Sequence, residues 1–81
     1  MKYDQEWLRT IKRTRQCVQK MGPLIADIPD LFDREIVRRQ FHILHARFKG
    51  DVELGCDPSG ASSELLGLWD LTENLIHGTG E

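Results

Sequence analysis

With 81 residues, 40% of them apolar and 30% charged, the chain has the make-up of one soluble globular domain and no room for a second. No apolar run approaches the roughly 20 residues that cross a bilayer, and the opening MKYDQEW lacks the apolar core of a signal peptide. Only Cys17 and Cys56 are present, too few for a disulfide framework, so a reduced, cytoplasmic setting without membrane attachment is expected.

The net charge of −2 conceals an asymmetry. All 11 Lys and Arg lie in positions 1–49 with 6 acids, giving +5, whereas positions 50–81 carry 7 acids and no Lys or Arg, giving −7. Segregation of this kind concerns surfaces and partners rather than fold. Either the acidic end folds against the basic half or the molecule shows two faces of opposite sign.

The first helix is expected from about Gln5 to Met21, with Asp4 as N-cap, Tyr3 packing on Leu8 ahead of it, and Gly22 as the stop. Trp7, Leu8, Ile11, Val18 and Met21 share one side with Thr14 among them, while Arg9, Lys12, Arg13 and Lys20 take the other. Arg15 falls between Ile11 and Leu8 on the wheel, so it either stretches its stem over the core edge or points at an acid in a neighbour. Gly22-Pro23 then breaks the chain, and Leu24-Ile25-Ala26 has the length of one separate helical turn within residues 24–28. Pro29 disfavours a helical Ile28 and presets its own φ for a new helix. Asp27, Asp30 and Asp33 crowd that entrance, where carboxylates suit the positive end of the helix dipole. A calcium loop is the competing reading, but no turning glycine with a closing bidentate Glu accompanies the three acids.

The stretch Asp30–Lys49, DLFDREIVRRQFHILHARFK, should form the central helix. At 3.6 residues per turn its apolar residues fall into two stripes: Phe32, Ile36 and Ile43, and Val37, Phe41, Leu44 and Phe48. Two stripes predict packing neighbours on both sides. The remaining face carries Arg34, Arg38, His42, His45 and Lys49 at i, i+4, i+8, i+11 and i+15, a continuous cationic ridge. Gly50 is expected to end this helix and open a long loop over residues 50–61, in which Val52 and Leu54 alternate with acids as a short extended piece. Asp57-Pro58-Ser59-Gly60 fits a type I turn. A last helix should run from about Ser63 to Ile76 or His77, with Leu65, Leu68, Trp69, Leu71, Leu75 and Ile76 on an arc of about 160°. Leu66 falls off that arc, and the final Gly-Thr-Gly-Glu is expected to fray. The fold class predicted is all-α, a small three-helix bundle.

The side chains point away from several chemistries. His42 and His45, at i and i+3, could both reach one metal ion, but a zinc site needs three or four ligands, and neither Cys17, Cys56 nor His77 stands at a ligand spacing. Arg38 and Lys49 beside them also repel cations. Nucleophilic catalysis needs Cys or Ser beside an oriented base, and the two histidines lie on a polar helix face with no evident cleft. No phosphate-loop motif is present. The expectation is therefore a protein that is not an enzyme and needs no cofactor or metal. For nucleic acid, the first helix could widen the ridge with Arg9, Lys12, Arg13 and Lys20, yet the pI is 5.9 and the polar face has no aromatic residue for base stacking. The function expected is a small adaptor or regulator that binds another protein through a helical surface, with Arg34, Arg38, His42, His45 and Lys49 at the contact. A chain this small also gains stability by forming a homodimer. A nucleic-acid-binding regulator using the ridge is the second choice.

Overall fold

A computed structural model of the chain describes residues 5–78, folded as three helices packed against one another: α1 (Gln5–Ile25), α2 (Leu31–Leu54) and α3 (Ser59–His77). The expected Asp4 cap, the Tyr3 staple and the fraying end beyond Gly78 lie outside the described residues. The helices form a rod of about 45 × 22 × 17 Å. α3 packs extensively on both α1 and α2, while α1 and α2 touch each other less. The third helix, not the second, is the one with neighbours on two sides.

The core is the cluster of Ile11, Cys17, Met21 and Ile25 from α1, Ile28 from the link, Val37, Phe41, Leu44 and Phe48 from α2, and Ala61, Leu65 and Leu68 from α3. Val18, Val52, Leu66, Trp69, Leu75 and Ile76 pack around it, half-buried. Leu66, expected off the arc, therefore does join the packing, because α3 is covered from two directions. Two buried hydroxyls tie α1 to α3. Thr14 Oγ1 donates to the Thr10 carbonyl at 2.7 Å, and Ser62 Oγ lies 2.5 Å from Thr14 Oγ1. A hydroxyl has one proton, so Ser62 must be the donor to Thr14.

Each helix is longer than its glycines and prolines suggest. α1 runs through Gly22-Pro23 to Ile25 instead of stopping at Met21, so residues 24–28 are not a separate turn. Pro23 cannot donate to the carbonyl four residues back, a real local cost. Ile25 and Ile28, four and seven residues beyond Met21, are both buried on its side, and that burial outweighs the lost bond. The chain turns out of the helix through Asp27 N–H to Leu24 O (2.9 Å) and Ile28 N–H to Ile25 O (3.2 Å).

α2 begins where expected: Asp30 caps it with extended backbone (φ −81°, ψ 121°), accepting from the Phe32 N–H at 3.2 Å. It does not end at Gly50. Val52, one turn past Phe48, meets the core and carries the helix on to Leu54, so the expected extended segment is helical. The stop is Gly55, whose φ of +74° a side chain would strain. Its N–H donates to Val52 O at 3.2 Å and that of Cys56 to Asp51 O at 2.8 Å, a Schellman closure. The loop of residues 50–61 thus shrinks to 55–58. Asp57 accepts from both the backbone N–H (3.0 Å) and the hydroxyl (2.7 Å) of Ser59, so the expected turn becomes the start of α3, four residues earlier than predicted.

Candidate protein-interaction surface

α2 presents three longitudinal strips, and their placement follows from its register. Val37, Phe41, Leu44 and Phe48 are buried against the rest of the bundle. The other apolar stripe is not covered, contrary to expectation: Phe32 is 73% exposed, Ile36 48% and Ile43 55%, with Leu54 80% exposed at the helix end. The physical reason is the arrangement of the three helices. With α3 between α1 and α2, α2 has one neighbour of consequence, and three helices leave nothing to lie on its far side. Phe32, Glu35, Ile36, Arg39 and Gln40 line a shallow, open hollow of about 310 Å³ on this outer side.

The cationic ridge runs alongside, and its members differ in freedom. Arg34 is half-buried, its Nε donating to the Ile28 carbonyl at 3.0 Å, which ties the entrance of α2 to the link. Arg38 forms an ion pair with Glu35 one turn earlier. His42 is exposed, with its ring edge-on to Phe41 at 5.8 Å between centroids. His45 is half-buried, tilted against the same ring at 5.6 Å. Burial holds its pKa below the usual histidine value, with the positive charge of Lys49 and then His42 adding to the effect. Lys49 is exposed and borders a second hollow with Arg15, His45 and Phe48. The five residues do lie along one side of α2, but two of the three fully cationic ones are engaged within the chain.

The remaining chemistry is sparse. Among the described residues, no three His, Cys, Asp or Glu side chains gather where a metal ion could be held. Cys17 is buried and Cys56 exposed; burial, and next the carboxylate of Asp70, push the Cys17 thiol above its usual pKa, away from the reactive thiolate. No described helix is long and apolar enough to cross a membrane. Sequence reasoning named both the ridge and the Phe32, Ile36 and Ile43 stripe, but took the stripe as covered by a neighbour and not as a contact surface. A signal for it does exist: Phe32, Ile36, Arg39, Ile43, Ala46 and Gly50 recur at alternating steps of four and three, the spacing of a helix–helix seam, on the side opposite Phe41 and Phe48. No known protein family, curated protein or solved structure matches this chain.

Proposed function

We propose that the chain is a small, non-enzymatic adaptor or regulator that binds another protein chain through the outer face of α2. The observation that carries this reading is the row Phe32, Ile36 and Ile43, all about half or more exposed along one helix face. Single exposed apolar residues are ordinary on a protein surface, whereas three on one helix face, bordered by charges and with Arg39 between Ile36 and Ile43, favour a contact surface. A helix face with apolar anchors at these steps fits a second helix or a groove of complementary shape. The ridge beside it, above all the exposed Lys49, supplies charge at the rim, where it speeds encounter more than it holds the complex. A nucleic-acid-binding regulator using the ridge has less in its favour, since Arg34 and Arg38 are already engaged with Ile28 O and Glu35.

The test compares two variants as baits in a lysate of the source cell, at low and at high salt. Ile36→Lys/Ile43→Lys changes only exposed positions and should abolish capture of a protein at either salt. Arg34→Gln/Arg38→Gln/Lys49→Gln should retain that protein at high salt, with slower association at low salt. Recovery of salt-labile nucleic acid that only the ridge variant loses would replace this reading with the second one.

A further inference from the structure

The outer face of α2 carries more information than its apolarity. Assigned to a seven-residue repeat, Phe32, Arg39, Ala46 and Glu53 occupy the d positions and Ile36, Ile43 and Gly50 the a positions of a helix–helix seam. The flanking g positions are Glu35, His42 and Lys49, and the flanking e positions are Asp33, Gln40, Arg47 and Leu54. All four e and g charges in those sets belong to a chain that can be asked to meet itself, and the two possible directions give opposite answers.

In a parallel pair, Arg39 faces Arg39 across the seam, and the g-to-e contacts join Glu35 to Gln40 and His42 to Arg47. No opposite charges meet. In an antiparallel pair with a positions against d positions, one register stands out. Phe32 lies over the partner's Gly50, Ile36 over the partner's Ala46, and Ile43 against the methylene stem of the partner's Arg39. In the four outer layers a large side chain faces a small one, and the two central layers pair Ile43 with the Arg39 stem. On one flank Glu35 then meets the partner's Lys49, and on the other Asp33 meets the partner's Arg47. Each contact occurs twice by the two-fold symmetry, which makes four opposite-charge pairs and no like-charge pair between acids or permanent cations. Sliding the register by seven in the direction that brings Ile43 against the partner's Ala46 sets His42 against Lys49 instead and loses the complementarity.

We propose that the occupant of this face is a second copy of the chain, its α2 antiparallel to the first in this register. The proposal rests on the reading of the outer face of α2 as a docking surface and commits that surface to one occupant. Of the four partners required, Glu35, Arg47 and Lys49 are exposed and Asp33 is half-buried; Glu35 also meets Arg38, and Arg47 meets Glu64 at 3.3 Å, in their own chain. Shared ion pairs of this sort extend a network rather than break one. From Phe32 to Gly50 the seam is about 27 Å long at 1.5 Å per residue, about three-quarters of the length of α2.

The test is the mass in solution by light scattering and sedimentation over a range of concentrations, for the full chain and three charge variants. The parent should weigh twice its chain mass at high concentration. Glu35→Lys and Lys49→Glu each turn two attractive contacts repulsive, and each should weaken dimerisation about tenfold. Glu35→Lys/Lys49→Glu together should restore it to near the parent's value, because the exchanged charges meet again only across an antiparallel pair. All three should keep the parent's circular dichroism, since the positions are exposed. A dimer indifferent to single charge changes, or not rescued by the double change, overturns the register. A parent that stays monomeric overturns the homodimer; if a cross-linker at position 43 then captures a different protein, the docking surface stands and only its occupant is wrong, and if it captures nothing both readings fall.

Discussion

The Thr14–Ser62 contact gives the sharpest test of the packing between α1 and α3. Both hydroxyls are buried, Thr14 completely, and the proton of Thr14 is committed to Thr10 O. Thr14→Val keeps the shape of the side chain but leaves the Ser62 hydroxyl without its acceptor. An orphaned buried donor costs about 1–3 kcal/mol, at the lower end if Ser62 turns to a carbonyl of its own helix. Ser62→Ala removes only one bond to Thr14, which still donates to Thr10, so about 1 kcal/mol is expected. In Thr14→Val/Ser62→Ala no hydroxyl is left to satisfy, and two apolar groups face each other. The double change should therefore cost about 1 kcal/mol or more less than the two singles added together. Urea melts followed by circular dichroism measure all three, with unchanged slopes confirming that the unfolded states are comparable. Singles that add to within about 0.3 kcal/mol would show that the two hydroxyls do not share a bond, and would refute the register assigned to α1 against α3.

Phe48→Ala should cost about 3–5 kcal/mol and Leu65→Ala about 2–5 kcal/mol in the same melts, as both side chains are fully enclosed in a small core. Two glycines should respond with opposite sign: Gly67→Ala, mid-helix with open space around it, should stabilise by about 0.5–1 kcal/mol, and Gly55→Ala should destabilise by about 1 kcal/mol because its φ is positive. The pKa of His45 is depressed in the fold, so the unfolded chain binds the proton more readily and stability rises with pH through this group. The contribution is present above pH ~6.5, is lost as pH falls through the lower folded value, and should vanish in His45→Gln, as thermal melts across that window will show. Chelator and reductant together should leave a helical protein that melts cooperatively, since both cysteines are free and the packing involves no metal ligand set among the described residues.

How far the sequence carried the fold is clear from where it stopped. The buried row Val37, Phe41, Leu44 and Phe48 was legible because a 3.6-residue period is a property of the helix itself. Helix ends were misplaced because Gly22, Pro23 and Gly50 are weak stops when apolar residues beyond them find the core. Ile25, Ile28 and Val52 do so, and that is a tertiary fact with no local signature. The row Phe32, Ile36 and Ile43 was seen, and its periodicity was right, but a period cannot say whether a neighbour lies on it. The wide arc of α3 was the better guide to which helix sits in the middle. On the ridge, the spacing placed five residues on one side of α2, while the bonds of Arg34 to Ile28 O and Arg38 to Glu35 depend on positions that only the folded chain fixes.

The central claim is that other protein meets this one on the outer face of α2. A photo-reactive side chain placed at Ile43, with a control at exposed Glu73 on α3, tests it most directly in the intact protein. Adducts formed at position 43, with little or none at position 73, are the expected result whatever the mass of the captured chain. Adducts confined to position 73, or none at position 43 at concentrations where the parent is associated, would contradict the account and leave the apolar row as bare surface.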